Sequence, residues 1–367
     1  MNNEQRYRKQ INLPEIGEDG QKRLRNASIL CVGAGGLGSP ALLYLAAAGI
    51  GQIGIIDFDR IEVSNLQRQI LFETKDIGQS KATHAKGKLL ALNPDIIVEA
   101  YDEQLNAQNI KALFQSYDLI IDGTDNFETK FLINDAAVKY NKPWIYGAIQ
   151  GFDGQVAVFD ATQGSCYRCL YPDKPKTHIT NCAESGVIGA VAGITGVTQA
   201  LQAIQIIAHH ESFLPLIGKL WVLDSHTMES KILNIPRNSN CPSCSRRHEE
   251  IVLNFSSPVC GFIPEVTYDQ VIQMSDIILI DVREQEEWDS GHIENSTHFP
   301  LSKLAAGHIP DCAMDKDIIL FCQRGVRSLE AAQILKEQGF SNLYSLSGGY
   351  EDWIKKDQPY LKNGTKV

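Results

Sequence analysis

The run Cys322-Gln-Arg-Gly-Val-Arg-Ser328 puts one thiol at the head of a tight loop expected to open a helix at Ser328. Backbone N–H groups and the positive end of a helix dipole face a sulfur placed there. They suit a nucleophilic thiolate and would cradle the terminal persulfide anion formed when it takes up a sulfur atom. Arg324 and Arg327 add fixed positive charge. A lone cysteine is more often an inert core residue, but Gly325 and two arginines make a poor apolar pocket.

A second chemistry lies near the N-terminus. Gly33-Ala-Gly-Gly-Leu-Gly38 follows an apolar strand and opens a helix, so backbone N–H groups can approach a phosphate or ribose at a positive helix end. Asp57 ends the next strand, 24 residues after Gly33, where it can accept from ribose hydroxyls. Taken alone, this pattern describes a nicotinamide-dependent oxidoreductase, here with an appended redox domain. The residues beyond Asp57 favour nucleotidyl transfer instead. Ser64-Asn-Leu-Gln-Arg-Gln69 and Lys81 bring cations to the ligand side of the sheet. A triphosphate needs them as charge moves onto departing pyrophosphate. Asp125, in Gly123-Thr-Asp-Asn126 at another strand end, is placed to hold Mg2+ near those phosphates. Most residues like Arg68 and Lys81 are simply solvated surface charge; their clustering at strand ends weighs against that.

Two Cys-x-x-Cys pairs, Cys166/Cys169 and Cys241/Cys244, have the spacing of a closed tetrahedral zinc site, with 71 residues between the pairs. Zn2+ there is structural. A redox pair is the lesser reading.

These residues need a scaffold, and the rest of the chain supplies one. Its 367 residues suffice for two ordinary domains, and 43% hydrophobic against 21% charged content supports packed cores. A net charge of −10 argues against nucleic-acid binding. Nine cysteines without an N-terminal export signal point to a reducing, cytoplasmic setting. Val187–Ala208 carries no charge and is long enough to span a bilayer. Gln199, Gln202 and Gln205 share one helical face, and glycines 189, 193 and 196 admit a second backbone, so a buried core or subunit-interface helix is expected rather than a membrane span.

Apolar strands at Ala27–Gly33, Gln52–Asp59, Tyr117–Asp122 and Trp144–Ala148, with a helix at Phe127–Tyr140, predict a Rossmann-like parallel sheet covered on both faces. Gly154–Asp160, Lys219–Asp224 and Glu229–Ile235 read as an antiparallel extension. The α/β pattern then dissolves. Residues 1–250 form the first domain, 251–262 a linker, and 263–367 a small α/β domain with a helix at Tyr268–Met274, strands at Asp276–Asp281 and Asp317–Phe321, and a helix at Arg327–Gln338.

With these stretches in view, the chain resembles the HesA/MoeB/ThiF family of ubiquitin-activating-like adenylyltransferases. The resemblance rests on Arg6-Tyr7…Gln10, Gly33–Gly38, Asp57-Phe-Asp59, Ser64–Gln69, Lys81, Asp122–Asn126, both Cys-x-x-Cys pairs and Cys182-Ala-Glu-Ser-Gly186. Residues 263–367 resemble a rhodanese domain through Asp281-Val-Arg283, Gly291-His-Ile293, the Cys322 loop and Ser347-Gly-Gly349…Trp353. The resemblance implies ATP-dependent adenylation of the C-terminal glycine of a ubiquitin-like sulfur carrier protein ending in Gly-Gly. Sulfur would then pass from a Cys322 persulfide, loaded by a cysteine desulfurase or thiosulfate, to give a thiocarboxylate. It assigns Mg·ATP to Gly36, Asp57, Asn65, Arg68, Lys81 and Asp125 with Asn126 beside it, and gives Arg68 a catalytic part. It implies a homodimer in which an N-terminal arginine reaches the partner's phosphates; here Lys9 stands in that place and lacks the two-pronged donor. It makes Cys182 a second catalytic thiol that can attack the acyl-adenylate. Asp281 and Arg283 are expected to brace the Cys322 loop. A non-catalytic zinc scaffold that only recruits a ubiquitin-like protein would not need Arg68, Asp125 and Cys322.

Overall fold

Strands β1 (Ser28–Val32), β2 (Gln52–Ile56), β3 (Ile97–Tyr101), β4 (Leu119–Asp122) and β5 (Trp144–Gln150) lie parallel, and β6 (Asp153–Phe159), β7 (Lys219–Asp224) and β8 (Glu229–Asn234) continue the sheet antiparallel. The order is β3-β2-β1-β4-β5-β6-β7-β8. A computed structural model of the chain describes residues 3–173, 186–253, 263–313, 316–356, 360–362 and 365–366. These divide into two units, Met1–Phe255 and Ser256–Val367.

In the first unit the central strands are apolar without alternation because both faces are covered. Ile29 and Cys31 join one core with Leu42, Leu45, Leu89 and Ala203. Their neighbours Leu30 and Val32 join the opposite core with Phe114, Phe131, Trp144 and Tyr167. The helix Gly189–Ala208 is long and apolar enough to cross a membrane by length and composition. Here it packs on the helix Gly38–Ala48 and on β5 and β6. Buried Gln199 donates through Nε2 to the carbonyls of Asp122 (2.8 Å) and Ile145 (3.2 Å), and buried Gln202 accepts from the Leu216 N–H at 2.7 Å. A polar ladder against a sheet has no use in lipid.

The second unit has its own parallel sheet, ordered β12-β10-β13-β14-β9, with β9 at Glu265–Val266, β10 at Ile277–Asp281, β12 at Thr297–His298, β13 at Asp317–Phe321 and β14 at Leu343–Leu346. β11 (His292–Ile293) instead pairs antiparallel with Tyr360–Lys362. Ile280, Ile318 and Leu320 face one core with Ala332 and Leu335, while Ile319 and Phe321 face the other with Leu346 and Trp353.

Some boundaries differ from expectation. The first helix of this unit is only Tyr268–Val271, and the helix after Cys322 is Val326–Glu337, starting before Ser328 because Gly325 (φ +96°) makes the left-handed turn that launches it. Of the expected linker 251–262, Ile251 is buried beside the cysteines of the first unit, so that unit runs at least that far; residues 254–262 lie outside the described residues.

Candidate active sites

In the first unit the strand order reverses direction between β1 and β4, and ligand crevices open at the carboxyl ends of strands flanking such a reversal. Here Gly33 (φ +91°) turns out of β1 against the loop that leaves β4; a Cβ on Gly33 would stand 2.9 Å from the Gly123 carbonyl oxygen. Only glycine permits both the backbone angle and that approach. Asp57, at the end of β2, is nearly buried and braces the turn. One carboxylate oxygen accepts from the Ala34 N–H at 2.8 Å and the other from the Asp59 N–H at 2.9 Å. Burial pushes its carboxyl above the ordinary range, opposed by those two N–H groups and by Lys81.

The cations converge on the same turn. The stem of Arg68 lies over Gly36, its Cγ and Cδ 3.3 and 3.4 Å from where a Cβ there would be. Its guanidinium spends one donor on the Ser64 carbonyl at 3.0 Å. Lys81, buried in the first turn of a helix capped by Ser80, reaches Asp59 at 2.8 Å. Asn65 is buried and donates to Ser64 Oγ at 3.3 Å. Asp125 is exposed on the loop after β4. Asn126 is committed by its side-chain oxygen to capping the helix Phe127–Tyr140 through the Thr129 N–H (2.8 Å), leaving its amide protons as donors. Lys9 and Arg8 are exposed in the last turn of the helix Asn3–Ile11 and form no ion pair among the described residues. That helix is held by its other face: a Cβ on Gly49 would stand 2.5 Å from the Tyr7 ring, and Asn93 donates to the Tyr7 hydroxyl at 2.8 Å.

Sequence reasoning missed Lys130. It is buried in the helix Phe127–Tyr140 and spends its three donors on Asp122 (2.6 Å) and the carbonyls of Thr124 (2.9 Å) and Gly147 (2.8 Å). It thereby ties β4, β5 and the loop bearing Asp125 together. A charged residue among the apolar positions of this helix was the available signal. Lys130→Met should destabilise the protein by about 3–5 kcal/mol, because it strands the Asp122 carboxylate in the core. A denaturant midpoint equal to that of the unsubstituted chain would refute this role.

The four paired cysteines meet as their spacing implies. Sγ–Sγ separations are 3.5 Å for Cys166–Cys241, 3.5 Å for Cys169–Cys244 and 3.9 Å for Cys166–Cys169, and all four sulfurs lie within 4.8 Å of one another. A tetrahedron with Zn–S near 2.3 Å has edges of about 3.8 Å, so the cluster fits zinc. Hydrogen bonding with the neighbouring thiols, then burial, pushes the Cys166 thiol up, so a thiolate at that position calls for a cation beside it. The cluster joins the segment after β6 to the segment after β8.

In the second unit Cys322 follows the central strand β13. It is 2% exposed and packs with the apolar core, which the glycine and arginines of its loop had argued against. Its sulfur accepts the Gly325 N–H at 3.1 Å. The two arginines are not free charges. Arg327 binds Glu287 through both terminal nitrogens (2.7 and 2.6 Å), and Arg324 meets Glu351 at 3.1 Å. The Arg327 partnership holds the Glu287 carboxyl below its usual range. Arg283, buried, is bound by Asp281 at 2.7 Å, stacks on Tyr350, and donates to the Gly291 carbonyl (2.7 Å) and Gln323 (3.3 Å). It thus braces the loop next to the thiol. Gly349 (φ +59°) lets the following helix start against that loop; a Cβ there would stand 2.4 Å from the Cys322 carbonyl oxygen. Cys182 lies outside the described residues.

Residues 7–243 match the ThiF family, residues 267–356 match the rhodanese-like domain, and the chain belongs to the ThiF family. A Mycobacterium tuberculosis protein named probable adenylyltransferase/sulfurtransferase MoeZ is 39% identical over 96% of this chain and 93% of its own. The Thermus thermophilus sulfur carrier protein adenylyltransferase is 43% identical over 70% of this chain and 96% of its own. The Drosophila willistoni adenylyltransferase and sulfurtransferase MOCS3 is 35% identical over 96% and 83%. The Escherichia coli MccB structure shares the fold, with a TM-score of 0.58 over 67% of this chain and 76% of its own at 23% identity. The chain is therefore an adenylyltransferase joined to a sulfurtransferase, and ATP supplies the adenylyl group. None of these relatives is named as a nicotinamide enzyme, so the oxidoreductase reading finds no support.

Proposed function

We propose that the first unit adenylates the C-terminal glycine of a ubiquitin-like sulfur carrier protein ending in Gly-Gly, and that Cys322 supplies the sulfur that replaces AMP. The carrier's carboxylate oxygen attacks the α-phosphorus of ATP, and the bond to the departing pyrophosphate breaks. Arg68 and Lys81 balance phosphate charge, Gly36 and Asn65 line the nucleotide, and Asp57 accepts from the ribose. Asp125, an exposed hard oxygen ligand at a strand end, suits Mg2+ on the phosphates, with Asn126 beside it. Lys9, exposed and without an ion pair among the described residues, reaches the phosphates of a second copy in a homodimer.

A carboxylate is too poor an electrophile for sulfur; the mixed anhydride gives it AMP as a leaving group. The terminal sulfur of a Cys322 persulfide, loaded by a cysteine desulfurase or thiosulfate, attacks the acyl carbon and AMP departs. Cys182 can first take the acyl group from AMP as a thioester, which the persulfide then attacks. An external thiol cleaves the resulting acyl disulfide at the Cys322 sulfur and releases the thiocarboxylate, and a second external thiol reduces the mixed disulfide left on Cys322. The reaction belongs in the reducing cytoplasm, and residues 1–250 and 263–367 carry its two halves. The observation that carries this reading is one chain holding both a cation-lined glycine turn braced by Asp57 and a thiol set at a helix start.

Incubation with ATP, thiosulfate and candidate carriers, followed by intact mass, tests it. A carrier gain of about 16 Da, oxygen replaced by sulfur, is the expected product; an unchanged mass for every Gly-Gly carrier would defeat the proposal. Zinc at the cysteine cluster is structural, so elemental analysis should find about one zinc per chain, lost in Cys241→Ser together with thermal stability. A zinc-free native protein of undiminished stability would remove that assignment.

A further inference from the structure

Two buried hydroxyls stand behind the Cys322 loop, and neither takes part in nucleotide binding or carries the sulfur. Ser328 lies in the first turn of the helix Val326–Glu337 and Ser345 in β14; both are fully buried. Their oxygens are 2.8 Å apart. Both reach one acceptor, the Gly325 carbonyl oxygen, at 2.8 Å from Ser328 and 3.3 Å from Ser345. Ser328 Oγ also lies 3.8 Å from Cys322 Sγ, the same sulfur that accepts the Gly325 N–H at 3.1 Å.

Counting protons gives the pair a purpose. A serine hydroxyl has one proton to donate, so Ser328 serves either the Gly325 carbonyl or the Cys322 sulfur, not both. Beside a neutral thiol the carbonyl is the better acceptor. Beside a sulfur anion the charge-assisted bond is the stronger one, but a Ser328 that turns to sulfur strips a buried carbonyl of a donor, which is costly. Ser345 stands where it can take that carbonyl over. In the first state Ser345 donates to Ser328, and in the second to Gly325.

We propose that Ser345 is a positioning residue for sulfur transfer: its hydroxyl replaces that of Ser328 on the Gly325 carbonyl, freeing the Ser328 proton for the Cys322 sulfur whenever that sulfur is anionic. The inference rests on Cys322 being the sulfur-bearing residue. It also accounts for a fully buried serine between Tyr344 and Leu346 of β14, where a hydroxyl is tolerated only when paired. The charged groups around the loop are Arg327, which pairs with Glu287 and also faces the Cys322 sulfur, Arg283 with Asp281, and Arg324 with Glu351; none of these pairs includes Ser345.

The test uses the full chain with thiosulfate as probe. The Cys322 thiolate attacks the outer sulfur of thiosulfate, a new S–S bond forms, the old one breaks, and sulfite leaves with the electron pair. Sulfite release in a single turnover is followed from about pH 6 to about pH 10, a range spanning ordinary thiol titration. Ser345→Ala should be about tenfold slower near neutrality, with the gap closing toward alkali, where thiolate forms without help. Ser345→Thr, which keeps the hydroxyl, should restore the unsubstituted profile. The denaturant midpoint of the second unit, which holds Ser345, serves as the folding control. A Ser345→Ala profile matching the unsubstituted one, or equal slowing at every pH without rescue by threonine, would overturn the inference while leaving Cys322 in place. Release that survives Cys322→Ala would overturn the reading beneath it.

Discussion

Cys322→Ala abolishes thiocarboxylate formation, a fall of at least about 10³-fold, and leaves ATP–pyrophosphate exchange at the unsubstituted rate. The size of the first effect follows from the role: alanine has no atom on which a sulfur can be carried, and losing a covalent nucleophile removes the step rather than slowing it. The indifference of exchange follows from the architecture. Cys322 belongs to the core of the second unit, with its own five-stranded sheet, whereas the glycine turn, Asp57, Arg68 and Lys81 belong to the first. Alanine fits a buried site already lined by Ala331 and Ala332, so the domain should fold. Exchange lost together with sulfur transfer would contradict two separable centres.

Arg68→Ala carries the largest expected effect on the first half-reaction. Its stem is laid over Gly36, and among the described residues one of its five donors is engaged, on the Ser64 carbonyl. The guanidinium thereby keeps donors for the phosphates proposed to sit at that turn. Removing one preorganised donor to developing negative charge typically costs about 10²–10³-fold in rate, and pyrophosphate exchange should fall by that much. Arg68→Lys keeps the charge and loses the planar fork, so its rate should lie between the two. Exchange by Arg68→Ala within about threefold of the unsubstituted rate, well short of that cost, would move the phosphates elsewhere.

What could be read from the sequence was what is local. The strands β1, β2, β4 and β5 announce themselves because cover on both faces demands unbroken apolar runs. β3 does not: it lies at the sheet edge with Ile97 and Glu99 exposed, and its short mixed run resembles a loop. The four zinc-type cysteines were legible because ligand spacing is itself the signal. The partners of the loop arginines were not. Glu351 lies 27 residues from Arg324 and Glu287 lies 40 from Arg327, and only the fold reveals that the positive charge around Cys322 is offset. Lys130 and Asp122 escaped for a related reason. The pair is eight residues apart, but the burial that makes it matter comes from β5 and the helix Gly189–Ala208. The Ser328–Ser345 pair likewise exists only once β14 lies beside the loop.

Every later step needs a carrier carboxylate made reactive at the glycine turn of the first unit. Carrier-dependent incorporation of labelled pyrophosphate into ATP measures that directly, with magnesium present and the sulfur donor left out. Exchange should appear with a Gly-Gly-ending ubiquitin-like protein and vanish when its last glycine is removed. Absence of exchange with every such carrier, under conditions where the protein is folded, would contradict the account at its root.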